Sequence, residues 1–251
     1  PMSGLIDEPR ISTVVRSPQW ISTEYNNTAK SPLFISTGPD QAYICGGGPY
    51  YVQSRSLHFQ YTKTASVTLP YSTNPGDLLV LSFVINQSNS YATVSDTKNG
   101  AAAYNLVQMS TVGAWGRMYT FYVPNSAGGA GPITTTVTLT APSDNVFDVF
   151  LLEYGGIATG SPLGPTSVGA DTNSVGMNTS FQSITKAPSL IYAFGADDHT
   201  CHAALAYTDR ETADGQCAID ETVFLTGSYN ATATQNSAGA WAMQMVSFKG
   251  P

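Results

Sequence analysis

The densest group of potential metal ligands lies in the stretch ADDHTCH, residues 196–202. It contains Asp197, Asp198, His199, Cys201 and His202. Zn²⁺ takes imidazole, thiolate and carboxylate ligands, provided that they converge on one point. On a β-strand, residues 199 and 202 point to opposite faces, so convergence requires a loop. The stretch therefore predicts a loop at the end of a sheet. A metal site formed by Asp197, Asp198, His199 and His202 is the less favoured alternative.

The three cysteines suggest a second role for the same stretch. A bridge between Cys201 and Cys217 would close a loop of about 16 residues and stabilise the protein by about 3 kcal/mol. Cys45 lies far away in the sequence and would be left over. Three free thiols are the alternative. We predict the bridge, because the rest of the composition is typical of compartments in which disulfides persist.

Catalytic patterns are weak in this sequence. Glycoside hydrolysis needs two acids about 5–10 Å apart across a sugar, but Asp148 and Glu153 are an odd number of residues apart on one predicted strand and face opposite sides. No pair stands out among the acids at 209–221, so we interpret all of these acids as solvated turn residues. The Gly-x-Ser-x-Gly motif of a nucleophile elbow does not occur. We therefore predict that the chain is not an enzyme.

Binding patterns are more suggestive. Trp115 lies between glycines in VGAWGR, at a predicted hairpin tip, and is the best candidate for stacking on a sugar ring. Tyr91 and Tyr207 are further candidates, since both fall in or near predicted loops. The acidic loops at 95–100 and 142–145 offer oxygen ligands suited to Ca²⁺; ordinary Asx-turns are the favoured interpretation. We expect no cofactor, with Ca²⁺ as an open alternative.

Charge and composition limit the partners and the location. Only 11% of the 251 residues are charged, and 10 Lys and Arg against 17 Asp and Glu give a net charge of −7; an average soluble protein has about 25% charged residues. Without a basic cluster, binding to nucleic acid or to an anionic membrane surface is not expected. No apolar run reaches the length needed to span a bilayer, and GDLLVLSFVI at 76–85 is too short. The uncharged polar composition predicts an extracellular protein.

Residues 51–250 show an all-β pattern. Apolar and polar residues alternate over many short segments, and Gly, Pro, Asn and Asp separate them. This pattern predicts two packed antiparallel sheets, and the length favours a jelly roll over an immunoglobulin-type sandwich. The segments DVFLLEYGG and WAMQMVSFKG are the most apolar, so we expect both to be central strands.

Residues 1–50 differ from the rest and form a separate N-terminal segment. GLIDEPRIST has the alternation of a strand, weakened by Pro9. Ser17 as N-cap and Pro18 at the first helical position predict a short helix that contains Trp20. A Gly-rich linker follows at 45–49. The chain is therefore divided into this segment and a sandwich domain at 51–251.

Two resemblances support this division. Residues 51–250 resemble a recurrent jelly-roll-like domain of surface proteins from environmental bacteria, through TASVTLPYSTNPGDLLVLSF, RMYTFYVPNSAGGAGPITTTVTLT and TGSYNATATQNSAGAWAMQMVSFKG. Residues 3–37 resemble the C-terminal end of a laminin-G-like (concanavalin A-like) domain, through DEPRIS and RSPQWISTEYNN. The first resemblance implies an adhesive or carbohydrate-active multidomain protein and no catalytic residue. The second covers too little of its domain to transfer any calcium or sugar loop.

These observations favour a non-catalytic structural or adhesive protein of a bacterial surface. An orphan amphipathic strand can pair with the sheet edge of a neighbouring chain, and head-to-tail pairing builds a filament. The candidate contact residues are Leu5, Ile6, Ile11 and Trp20. The expected partners are other copies of the chain or other surface proteins. The alternative is a carbohydrate-binding module of a larger secreted enzyme or adhesin, with a glycan as its partner.

Overall fold

The computed structural model describes residues 47–86, 91–112, 116–140, 146–197 and 199–251. These residues contain β-strands and one 3₁₀ turn but no α-helix. The predicted N-terminal strand, helix and subunit contacts at Leu5, Ile6, Ile11 and Trp20 lie outside the described residues. The strands are β1 Tyr50–Gln60, β2 Thr64–Ser72, β3 Leu78–Ile85, β4 Ala92–Asp96, β5 Asn105–Val112, β6 Gly116–Val123, β7 Pro132–Leu139, β8 Val146–Gly155, β9 Leu163–Asn178, β10 Gln182–Ile184, β11 Ser189–Asp197, β12 Cys201–Ala203, β13 Thr208–Ala213, β14 Gln216–Val223, β15 Gly227–Tyr229 and β16 Thr232–Lys249.

The strands form three main antiparallel sheets. Sheet A has the order β1-β8-β3-β6-β5, and sheet B has the order β2-β7-β4. Sheet C has the order β12-β16-β11-β14-β13, with β9 also paired to β16. Strands β1–β8 thus supply sheets A and B, and the later strands supply sheet C and a separate two-stranded sheet of β10 and β15. The predicted all-β antiparallel sandwich is confirmed, and the structure adds a third layer.

Sheet A is the middle layer. Along β8, Val149 and Leu151 pack in the core shared with sheet B, whereas the intervening Phe150 and Leu152 pack in the core shared with sheet C. Strand β3 is buried along its whole length for the same reason. A strand covered on both faces needs apolar residues at every position, which explains the continuous apolar runs of the sequence. DVFLLEYGG is indeed an internal strand.

The outer face of sheet C forms a third core. Trp241, Met243 and Met245 of β16 pack there with Met177 of β9. Cys201 and Cys217 are bonded to each other in this core, where both are fully buried. The predicted disulfide is therefore confirmed, and it joins β12 to β14. WAMQMVSFKG is internal as predicted, since β16 lies between β11 and β9.

Candidate functional site

A cleft of about 340 Å³ opens at one end of the interface between sheets A and C. Its polar lining comes from both sides of that interface. Sheet A contributes Asn86 and Asp148, and sheet C contributes Asp197, Asp214 and Gln216. None of the described residues that line it is a lysine or an arginine. The cleft is therefore acidic and is shared by the two layers.

His58 and Asp148 are brought together by strand register. They are directly opposite each other in the β1–β8 ladder, where cross-strand side chains are neighbours. His58 Nδ1 lies 2.7 Å from Asp148 Oδ1. The other ring nitrogen, Nε2, lies 2.9 Å from the side-chain amide of Gln60. The imidazole is thus held at both nitrogens.

Asp214 reaches the same point from sheet C. It forms a two-residue hairpin loop with Gly215 between the paired residues Ala213 and Gln216. Both loop residues have positive φ, 46° and 92°, as Asp-Gly commonly does in such loops. Asp214 Oδ2 lies 3.3 Å from His58 Nδ1. The hairpin therefore places a second carboxylate beside the imidazole.

The buried carboxyl groups of the cleft are electrostatically costly. Asp148 is only 3% exposed, and this burial raises its pKa to about 6, against the lowering effect of the hydrogen bond with His58. Asp197 is equally buried; its Oδ1 accepts a hydrogen bond from the His199 backbone N–H. The Gln216 side chain links two of these residues. Its oxygen accepts a hydrogen bond from the Asp197 backbone N–H, and its amide donates to the Asp214 backbone carbonyl oxygen. Sheet C thus holds its acidic residues in place through Gln216.

The predicted ligands at 196–202 do not form a single group. Asp197 lines the cleft, but His202 lies 3.7 Å from Asp209, and His199 Nε2 lies 3.3 Å from the Ala238 carbonyl oxygen. Asp198 lies outside the described residues. In the described part of the chain, His58, Asp148 and Asp214 are the one group of three or more potential ligands that converges. None of these three residues was predicted as a metal ligand.

The interpretation of the acids as solvated turn residues is wrong for three of them. Asp148, Glu153 and Asp220 are buried within strands. The single N–H of Arg210 Nε is shared between the two carboxylate oxygens of Asp220, at 2.9 and 3.0 Å. Because side chains alternate along a strand, these carboxyl groups point into the interfaces between the sheets. Buried there, they need hydrogen-bond partners. Asp148 and Glu153 do face opposite sides, as expected.

Glu153 belongs to a second buried polar group, on the sheet B side. Its carboxyl group accepts hydrogen bonds from the Gln53 side-chain amide and from the Asn74 backbone N–H. Burial raises the pKa of Glu153 to about 7, partly opposed by these two hydrogen bonds. The Asp77 carboxyl group lies beside it and raises that pKa further. These contacts tie the turn at 74–77 to the middle layer.

The predicted aromatic candidates differ in exposure. Tyr91 is 72% exposed. Tyr207 instead packs against the third core, and its hydroxyl donates to the Asn230 carbonyl oxygen at 3.0 Å. Trp115 lies outside the described residues. Tyr91 is therefore the one of the three with a ring that the structure places on the surface.

The loops considered for Ca²⁺ are only partly described. Asp96, in the loop at 95–100, accepts hydrogen bonds from the backbone N–H groups of Lys98 and Asn99. The Tyr104 hydroxyl also donates to it, at 2.9 Å. The arrangement is that of an Asx-turn. Residues 142–145 lie outside the described part of the chain.

Comparison with known proteins gave no match to a protein-family model, a curated protein or a solved structure. The fold and the cleft define the chain as a layered antiparallel β-sandwich with an acidic cleft between two of its sheets. Within the described residues, no helix has the length and apolar character needed to cross a bilayer.

Proposed function

We propose that this chain is a non-catalytic structural protein of an extracellular bacterial surface that polymerises through its N-terminal strand. The observation that carries the proposal is the Cys201–Cys217 bridge, which is buried in the outer core of sheet C. Disulfides persist in oxidising compartments and strengthen proteins that function outside the cell. The low charge of the sequence, 11% of residues, favours the same location.

The buried polar groups support a structural role. Tyr192 donates to Ser82, and Ser82 pairs with Thr120 at 2.9 Å. Thr120 then donates to Gln244, whose amide donates to Ser110. This chain of hydrogen bonds runs between sheets A and C. A network in which each polar group has a hydrogen-bond partner favours a single arrangement of sheets A and C. Such rigidity is suited to a structural protein.

Strand β5 offers an acceptor for the N-terminal strand. It ends sheet A in the described part of the chain, and its Leu106 and Met109 are about half exposed, 52% and 46%. An unpaired edge with apolar side chains is a template for an added strand. Leu5, Ile6 and Ile11 provide apolar positions for such a strand. Pairing between chains would be heterologous and would propagate a polymer.

Light scattering coupled to size-exclusion chromatography tests this proposal on the full chain. We expect a concentration-dependent mass above that of the monomer. Ile6→Asp on the donor strand and Met109→Lys on the acceptor edge should each reduce the mass to that of the monomer. Ser12→Asp, a charge at a polar position of the same segment, is the matched control and should retain assembly. A monomer at every concentration of the wild type contradicts the proposal.

Two exposed rings favour carbohydrate binding as the second candidate function. Tyr61 and Tyr91 are 76% and 72% exposed. Both lie near one end of sheet B. At the end of β7, the backbone N–H groups of Leu139 and Thr140 donate to the carbonyl oxygens of Lys63 and Tyr91. Strands β2 and β4 lie on either side of β7, and neighbouring strands are about 4.8 Å apart. The two strand ends are therefore about 10 Å apart, within the length of one oligosaccharide.

A glycan array tests this second function. Binding should fall on Tyr91→Ala and on Trp115→Ala. It should persist on Tyr71→Ala, because Tyr71 is similarly exposed but lies near the opposite end of β2. An array without any bound glycan at high protein concentration rules the function out.

A further inference from the structure

We propose that the cleft between sheets A and C binds one divalent transition-metal ion of the Zn²⁺ type, through His58 Nδ1 and the carboxylates of Asp148 and Asp214. This site is independent of the proposed polymerisation. It joins strands β1 and β8 of sheet A to the β13–β14 hairpin of sheet C.

The donor atoms have the separation that such an ion requires. His58 Nδ1 lies 2.7 Å from Asp148 Oδ1 and 3.3 Å from Asp214 Oδ2. One donor atom from each of the three residues lies within 4.8 Å of the others. Zn²⁺ binds nitrogen and oxygen at about 2.0–2.2 Å, so ligand atoms around one tetrahedral ion lie about 3.3–3.6 Å apart. Side-chain shifts of less than 1.5 Å would suffice, on the order of ordinary rotamer adjustment.

The His58 imidazole presents Nδ1 to the two carboxylates, and its other nitrogen, Nε2, contacts the Gln60 side chain. Without an ion, the tautomer that fits an ionised Asp148 carries its proton on Nδ1 and donates it to that carboxylate. A metal ion replaces that proton, and the proton then moves to Nε2. Metal-bound histidines usually donate their second N–H to an outer hydrogen-bond acceptor. The Gln60 side-chain amide lies 2.9 Å from Nε2 and supplies that acceptor when its oxygen faces the ring.

The charge of the cleft is a second, independent indication of a cation. Asp148 is only 3% exposed, and it lines the cleft together with Asp214. Buried charges in proteins are normally paired or bound to metal ions. Two carboxylates, Asp148 and Asp214, against one imidazole leave a formal excess of at least one negative charge. No described lysine or arginine lines the cleft to balance it, and a divalent ion provides the required charge.

The mixed donor set selects the type of ion. Ca²⁺ and Mg²⁺ favour sites made only of oxygen, whereas imidazole together with carboxylate suits Zn²⁺ and similar ions. Three protein ligands also leave a fourth position open to water or to a group from a partner. We therefore expect Zn²⁺ to bind and Ca²⁺ to compete poorly.

Isothermal titration of metal-depleted full-length chain with ZnCl₂ tests the site. We expect one ion per chain and a rise in melting temperature on binding. Asp214→Asn is the decisive variant, because the Asp214 side chain is 60% exposed and its replacement leaves the fold intact. It should weaken binding at least tenfold and abolish the rise in melting temperature. His58→Ala should do the same.

His202→Ala is the matched control. His202 also lies beside an aspartate, Asp209, but at 3.7 Å and with 57% of its side chain exposed. Its removal should leave the affinity unchanged. The proposal is overturned by any of four results: no saturable binding of Zn²⁺, equal affinity in wild type and Asp214→Asn, loss of binding in His202→Ala alone, or tighter binding of Ca²⁺ than of Zn²⁺.

Discussion

Tyr192 of sheet C donates a hydrogen bond of 2.9 Å to Ser82 of sheet A. Both residues are fully buried, and the bond crosses the interface between the two layers. Ser82→Ala leaves the Tyr192 hydroxyl without this acceptor in a dry environment. We expect the free energy of unfolding to fall by about 1–3 kcal/mol, measured by urea denaturation. Ser66→Ala, at an exposed hydroxyl pair with Thr136, should change it by less than about 0.5 kcal/mol; equal effects of the two substitutions contradict the account.

Glu153 makes stability depend on pH near neutrality. Its pKa is about 7 in the folded chain, against an ordinary value of 4.5. Between these values the folded state keeps a proton that the unfolded state has released, so the free energy of unfolding falls as pH rises from 4.5 to 7. Glu153→Gln removes this contribution, so its free energy of unfolding should vary less with pH than that of the wild type. Urea denaturation at half-unit pH steps measures the difference.

Asp171→Asn is the control for the pH experiment. Hydrogen bonds from the Asn173 and Thr172 backbone lower the pKa of this exposed carboxyl group, so it titrates below the tested range. Its curve should parallel that of the wild type. A parallel curve for Glu153→Gln as well would show that burial of Glu153 does not set the pH dependence.

The disulfide should contribute substantially to stability. Replacing Cys201 and Cys217 together by alanine should lower the free energy of unfolding by about 3 kcal/mol, since the bridge closes a loop of 16 residues. Cys45→Ser is the matched control and should have no comparable effect. Thiol titration of the unfolded, unreduced chain should detect at most one thiol, and detection of three would contradict the bridge.

The hairpin that presents Asp214 depends on its glycine. Gly215 has a φ of 92°, and a Cβ there would collide with the His199 carbonyl oxygen. We expect Gly215→Ala to cost about 1–3 kcal/mol of unfolding free energy through backbone strain. Gly176→Ala is the control, because nothing lies within 4 Å of its Cβ position and its φ is not positive. Thermal or urea denaturation distinguishes the two, and equal stability of the two variants contradicts the strain.

The sequence predicts the strands well where burial is continuous. DVFLLEYGG and WAMQMVSFKG correspond to internal parts of β8 and β16. Strand β9 was missed: residues 163–178 are rich in Gly, Thr, Ser and Asn and resemble a series of turns. They become a strand because β16 provides a long antiparallel partner. Tertiary pairing thus overrides a weak local preference.

The cleft was not predictable from spacing. His58 and Asp148 come from distant parts of the chain and meet through the β1–β8 pairing, and Asp214 joins them only when sheet C packs on sheet A. One local signal was present: Asp148 interrupts the apolar run VFDVFLLEY, and a carboxyl group inside such a run needs a buried partner. Identifying that partner requires the β1–β8 register and the hairpin at 214–215, which periodicity does not provide.

Negative-stain electron microscopy of the full chain at high concentration tests the central claim most directly. The account predicts regular filaments of head-to-tail subunits in the wild type, loss of these filaments in Ile6→Asp, and their retention in Ser12→Asp. Isolated particles of monomer size in the wild type at every concentration would contradict it.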